Sequence, residues 1–305
     1  MTWRLQLPQP LIRRIDLLTG ASSVVAVWTQ MDRVHYYDQR SAKSLGERVI
    51  DKMSAVERAD PRWRKFLDEL RAPNSSYLPL VYAANLTVHS AEDGSFHLYQ
   101  LADATLVLDV GGKESVIEVE DGVRFVSLDL DRQLGLIVGL DRGGRLHLYQ
   151  QRIRIGIHDT DLAMDGEFTP IVLTSLSSKA ILAIDGAQIV TFDAAGKVRK
   201  RLELHYLPSA IALSPDGRVC VTADADTGVI RAYDAETLMA THQRFAIDLA
   251  ADARRSNAAA GGQPTTSVPG VLAINNRGVV AFGLGGLLCV TSMNRMKALP
   301  ASVRS

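Results

Sequence analysis

The chain has 305 residues, with 34 basic side chains against 34 acidic ones; 47% of residues are hydrophobic and 6% aromatic. That composition supports a sizeable buried core, and the balanced charge excludes a global field that would draw nucleic acid or an acidic membrane surface. Only two cysteines occur, Cys220 and Cys289, which excludes a disulfide framework.

The opening MTWRLQLPQPLIRR lacks the continuous apolar stretch of a secretory signal. No apolar run reaches the ~18 residues that would span a bilayer. A reducing, cytoplasmic setting with no membrane contact is expected. WRLQLP alternates as a strand but has no companion nearby. RRIDLL, SSVVAVWTQ, RVHYYDQ and LGERVI then read as four strands. Residues 51–79 interrupt this pattern. Asp60 followed by Pro61 marks a helix start, and Trp63, Phe66, Leu67 and Leu70 form one apolar stripe at helical spacing. Pro61–Arg71 is therefore predicted to be a short amphipathic helix. It either packs down over the ring or docks a partner, with Trp63 and Phe66 as anchors and Arg62 or Arg64 at the rim.

Beyond it, LPLVYAA, LTVHSA and SFHLYQ form a less regular second unit. The third reads RFVSLDL, LGLIVGL, RLHLYQ, RIRIGIHD. The fourth reads TPIVLTS, KAILAID, QIVTFD, KVRKRLEL, and its basic run Lys197–Arg201 suits a solvated outer strand. The fifth reads SAIALS, RVCVTA, VIRAYD, LMATHQRFAIDL. Residues 251–267 (ADARRSNAAAGGQPTTS) have no apolar anchor and read as a flexible loop. The sixth unit, GVLAIN, VVAFGL, LLCVTS, lacks a fourth strand, since NRMKALPASVRS carries little β-pattern. The unclaimed segment Thr2–Pro8 is predicted to supply it.

One aromatic serves as a ruler. HLYQ occurs at His97–Gln100 and again at His147–Gln150. Tyr37, Tyr99, Tyr149, Phe192 and Tyr233, with Ser292 as a degenerate sixth mark, are spaced by 62, 50, 43, 41 and 59 residues. An interval near 40 is the length of a four-stranded propeller blade. The two longest intervals hold the two insertions. The expectation is one all-β domain over 1–305: a six-bladed β-propeller of four-stranded antiparallel blades, closed by the N-terminal strand. Seven blades stay open if residues 51–79 hide another set of strands.

Ser214–Leu238, SPDGRVCVTADADTGVIRAYDAETL, resembles a repeat of the WD-repeat and YVTN-type propellers. The likeness lies in SPDG before the second strand, in an acidic glycine turn, and in an aromatic-Asp pair closing the third strand. Tyr37-Asp38, Phe192-Asp193 and Tyr233-Asp234 stand where Trp-Asp stands in WD repeats. Tyr99-Gln100 and Tyr149-Gln150 depart from it, and no unit carries the Gly-His dipeptide. The Asp-His-Ser/Thr-Trp hydrogen-bond network of that family is therefore expected to be absent or degenerate.

No nucleophile elbow, Walker loop, Rossmann fingerprint or HExxH motif is present, so no cofactor is expected. The inner strands contribute only Asp16, Asp129 and Asn275 as metal-ligand candidates for a channel-based hydrolase or lyase, the alternative reading. The preferred reading is a non-catalytic protein-interaction scaffold, a subunit of a larger complex. Both insertions join an outer strand to the next inner strand. Such connections share a face with the turns between second and third strands, where Asp93, Asp141, Arg142 and Asp226 are expected.

Overall fold

The computed structural model describes residues 2–7, 12–19, 23–29, 33–49, 86–90, 95–100, 106–110, 113–120, 123–131, 136–150, 152–162, 164, 171–175, 180–193, 195–255 and 266–299. These residues form six antiparallel sheets. The first comprises β2 (Ile12–Thr19), β3 (Ser23–Thr29), β4 (Arg33–Asp38) and β5 (Ser44–Val49). The second comprises β6 (Leu86–Ser90), β7 (Ser95–Gln100), β8 (Leu106–Val110) and β9 (Lys113–Ile117). The third holds β10 (Phe125–Asp131), β11 (Leu136–Asp141), β12 (Arg145–Gln150) and β13 (Ile153–Asp159), and the fourth holds β14 (Ile171–Ser175), β15 (Ala180–Asp185), β16 (Gln188–Phe192) and β17 (Val198–Glu203). The fifth holds β18 (Pro208–Leu213), β19 (Val219–Asp224), β20 (Val229–Asp234) and β21 (Ala240–Phe245). The sixth is built on β23 (Val271–Ile274), β24 (Val279–Leu284) and β25 (Leu287–Ser292). In the first five sheets, strands lie side by side in chain order.

Strands β11, β19 and β24 are buried on both faces from their second residue onward, which is why they read as continuous apolar runs. Each is covered on either side by a neighbouring sheet. One core cluster joins Val221, Ile230 and Ala232 to Leu272 and Phe282; another joins Leu182 and Ile189 to Cys220 and Tyr233. The fourth strands face solvent. β17 exposes Arg199, Lys200, Arg201 and Glu203, so the basic run lies on an outer edge. The first strands touch in succession: β2 with β6, β6 with β10, β10 with β14, β14 with β18, β18 with β23, and β23 with β2.

The aromatic ruler has a geometric basis. Tyr37, Tyr149, Phe192 and Tyr233 are all buried near the end of a third strand. In each case the pairing with the fourth strand shifts register immediately before the aromatic residue. Four β-bulges thus recur at one point of the repeat, where the outer strand bends away. The aspartate after the aromatic holds the next turn. Asp38 Oδ1 accepts from the Arg40 and Ser41 amides, and Asp234 Oδ1 from those of Glu236 and Thr237. The chain then passes through the left-handed region at Ala42 (φ 60°) and Leu238 (φ 60°).

In the second sheet SFHLYQ is β7, paired with β6 and β8, the second strand among the described residues, whereas RLHLYQ is the third strand of its sheet. Both copies carry the apolar alternation of a central strand. The first described strand of this sheet is LTVHS; LPLVYAA lies outside the described residues.

Three further differences concern the last two units. LMATHQRFAIDL is not one strand: β21 ends at Phe245, and α1 (Ala246–Asp252) follows, burying Ala246, Leu249 and Ala250 at helical spacing. Residues 251–255, expected to belong to a loop, finish this helix and form β22 (Arg254–Arg255), which pairs in parallel with β1 (Trp3–Gln6). Residues 256–265 lie outside the described residues. MNRMKAL forms a 3-10 turn at Met293–Arg295 and then β26 (Lys297–Ala298), paired with β21. Neither short strand has local β-pattern; each is held by a neighbouring edge.

The N-terminal segment pairs as expected with the last third strand, with Trp3 opposite Val290 and Gln6 opposite Leu287. Trp3 is buried, its Nε1 donating to the Gln39 carbonyl at 2.7 Å, and Arg4 Nη1 donates to the Ala250 carbonyl at 2.9 Å. One four-residue strand therefore bonds to the sixth sheet, the first sheet and α1.

Candidate interaction face

Two second-to-third-strand turns show how this end of the molecule is built. Asp141 is 2% exposed. Its Oδ1 accepts from the Gly143 and Arg145 amides at 2.8 and 2.9 Å, and its Oδ2 from Arg145 Nε and His147 Nε2, both at 2.8 Å. Burial opposes the charge on Asp141, but the Arg145 amide, the His147 ring and the Arg145 guanidinium together outweigh it and leave the carboxyl below its ordinary range. Asp224 repeats the arrangement. Its Oδ1 accepts from the Asp226 and Thr227 amides and its Oδ2 from Arg231 Nη1 at 3.1 Å. Its pKa is again lowered: burial is opposed by Thr227, Arg231 and the Asp226 amide.

Around Asp224 lies a part-buried polar network. Tyr206, in the connection into the fifth sheet, bonds through its hydroxyl to Thr222 Oγ1 at 2.6 Å and to the Tyr233 hydroxyl at 2.7 Å. The Arg231 guanidinium stacks 4.2 Å above the Tyr206 ring. A connection residue, a second-strand hydroxyl, a third-strand aromatic and a turn aspartate thus cooperate. This is a degenerate form of the hydrogen-bond network named above, with tyrosine in two of its places and Asp224 joined to Tyr206 through Arg231 rather than by a direct hydrogen bond. The third sheet carries a reduced form. Gly139 stands where Thr222 stands, each opposite the residue that bonds the turn aspartate (His147 and Arg231). A Cβ at Gly139 would lie 2.6 Å from the Phe125 ring, which packs edge-on against His147 at 5.2 Å between centroids. Tyr149 keeps its burial but its hydroxyl has no partner among the described residues, and burial pushes its pKa up to about 12.

The inter-sheet connections are bolted to these turns. The Thr160 amide donates to the Gly144 carbonyl at 3.0 Å, and the Ala246 amide to the Gly228 carbonyl at 3.0 Å. Gly228 has φ +67° and lies so close to the Ser267 carbonyl that a Cβ would meet it at 2.3 Å. The end of the 251–267 segment therefore does share a face with the turn at Asp224–Gly228.

The predicted contact residues fare differently. Arg142 and Asp226 are exposed on this face. Asp141 is spent inside its turn. Asp93 lies outside the described residues, between β6 and β7. Arg62, Trp63, Arg64 and Phe66, with the whole 51–79 segment, lie outside the described residues. The metal candidates are not brought together as a site. Asn275 is buried and its Oδ1 accepts from the Arg277 and Val279 amides, fixing a turn. Asp129 is on β10 and Asp16 on β2, whose side chain is outside the description. Among the described residues, no three His, Cys, Asp or Glu side chains gather where they could hold one metal ion. No described helix is long and apolar enough to cross a membrane. Tyr206, Thr222 and Arg231 escaped the sequence reading because none belongs to a turn motif or an apolar period.

No family model matches the chain, and no curated protein matches it in sequence. Solved structures do match in shape. The β-propeller domain of Cps50 (Swd1) from Myceliophteria thermophila is similar with a TM-score of 0.52 at 12% identity, covering 92% of this chain and 82% of that one. Raptor from Chaetomium thermophilum is similar with a TM-score of 0.59 at 9% identity, covering 98% of this chain; the chain spans 29% of Raptor's length. The fold is that of a β-propeller.

Proposed function

We propose that the chain is a six-bladed propeller, closed by its N-terminal strand, that acts as a non-catalytic scaffold within a larger protein complex. The six sheets, the cyclic succession of first-strand contacts and the pairing of β1 with β25 support the blade count and the closure. The observation that carries the functional reading is the interlocked face. There the turn aspartates are consumed in holding backbone, while Arg142 and Asp226 project from turns fixed by the Thr160–Gly144 and Ala246–Gly228 hydrogen bonds. Rigidly held exposed side chains cost little ordering entropy on docking. The 51–79 insertion, with Trp63 as anchor, would meet the same partner. The test is affinity purification of tagged chain followed by mass spectrometry, comparing wild type with an Arg142→Glu plus Asp226→Arg variant and with Trp63→Ala plus Arg64→Ala. Loss of the same co-purifying proteins from both folded variants is expected. A partner set unchanged in both would overturn the assignment of this face.

A further inference from the structure

The pairing of β26 with β21 brings the tail after the sixth sheet alongside the outer strand of the fifth. A groove of about 670 Å³ opens there, walled by Val229, Phe245, Arg231, Arg244, Arg295 and Lys297 among others, with no described Asp or Glu in its lining. Two of its cations are already engaged. Arg231 bonds Asp224, and Arg244 bonds Asp252 and the Arg295 carbonyl. The Arg295 and Lys297 side chains are exposed and form no ion pair among the described residues. Phe245 is 49% exposed although its neighbour Ala246 is fully buried, so a large aromatic is held at the groove wall by the start of α1.

An apolar wall beside two uncommitted cations suits a ligand that is anionic and carries an apolar side chain. We propose that this groove docks a short acidic segment of a partner protein, with its carboxylates on Arg295 and Lys297 and an apolar side chain against Phe245. An acidic peptide fits better than nucleic acid. The chain has equal numbers of acidic and basic residues and so offers no extended field for a polyanion, whereas a local pair of cations suffices for a few carboxylates. The proposal rests on the scaffold reading and names the chemistry of one partner.

The test is fluorescence anisotropy of the full chain with a fluorescein-labelled peptide of Glu and Asp residues around a central Leu-Phe pair. Saturable binding is expected. Arg295→Gln plus Lys297→Gln should weaken it about tenfold, the loss of two partly exposed charge-assisted contacts. Phe245→Ala, or replacing Leu-Phe in the peptide by Ser-Gly, should weaken it severalfold. Should the double variant melt early, Lys297→Gln carries the test, because that side chain makes no internal bond. Absence of binding, or binding indifferent to these changes, overturns the proposal. So does equal, variant-sensitive binding of oligothymidylate, which would make the groove a polyanion site. If the peptide fails while Arg142→Glu plus Asp226→Arg still strips partners from the purified chain, the groove assignment falls and the scaffold reading stands. If the peptide binds but that partner set is unchanged, the groove assignment stands and the assignment of the Arg142 and Asp226 face falls.

Discussion

Truncating Trp3 tests how much the N-terminal strand holds. Its indole is 4% exposed and packs in a cluster with Ile15, Val27, Leu288 and Val290, drawn from the first and sixth sheets. Trp-to-Ala truncation at a buried site costs about 3–5 kcal/mol. The Gln39 carbonyl also loses the indole N–H it accepts at 2.7 Å, adding about 1 kcal/mol. Because the strand is short and its end can relax toward solvent, a total of about 4 kcal/mol is expected. For a chain of this size each kcal/mol moves the melting temperature by about 2 °C, giving a drop of about 8 °C. Trp3→Phe keeps most of the apolar contact and removes the hydrogen bond; it should lose about 1–2 kcal/mol. Urea titration followed by tryptophan fluorescence and circular dichroism, with a parallel thermal melt, reads both. An alanine variant within about 1 kcal/mol of wild type would refute the idea that β1 locks first and sixth sheets together.

Asp141→Asn should destabilise by about 3 kcal/mol, since its Oδ1 can still hold the Gly143 and Arg145 amides but the NH2 in place of Oδ2 cannot accept from His147 Nε2 or Arg145 Nε, and urea midpoints will show it. The same aspartates set an acid limit. Asp141 and Asp224 have folded pKa values below their unfolded ones, so their stabilisation is complete above the unfolded value and is lost as pH falls through the folded one. Stability should be flat above about pH 5 and decline below about pH 4, with a shallower decline in Asp141→Asn. Arg152, exposed at φ 73°, occupies a conformation that costs a side chain; Arg152→Gly should gain about 0.5 kcal/mol, the relieved strain exceeding the added chain entropy, and a loss on denaturation would contradict this. Burial pushes both Cys220 and Cys289 up to about 12, so neither thiol should react with a maleimide in native protein at neutral pH, and both should react once urea unfolds it.

Legibility followed the locality of the signal. The central strands were readable because both their faces are buried and their sequences are apolar throughout. The Tyr37, Tyr149, Phe192 and Tyr233 positions were readable because one bulge recurs at each. The HLYQ pair carries only apolar alternation, which marks a central strand without saying whether it is second or third. The β22 and β26 pairings were invisible: two residues carry no period, and only a neighbouring edge makes them strands. AIDL reads as the end of a strand because its apolar residues also suit a short run, and the helix is decided by Ala246, Leu249 and Ala250 packing into an existing core. The exposed turn residues Arg142 and Asp226 were legible from turn chemistry. The fate of Asp141 was not, because sequence does not say whether a carboxylate in a turn looks outward or binds its own backbone. The groove at Phe245 joins residues from three segments and exists only after β26 has docked.

The pairing of β1 with β25 sets an order of events during synthesis. Thr2 and Thr291 bond side chain to side chain although 289 positions separate them. On a ribosome, Trp3 emerges long before Val290 exists, so the opening strand must wait unpaired while five sheets assemble. Until it arrives, the edge of Leu287–Ser292 is bare, and a β1 borrowed from a neighbouring nascent copy would fit it equally well. Crowded polysomes would thus favour exchanged dimers, and slow, dilute translation would favour pairing of β1 with β25 within one chain.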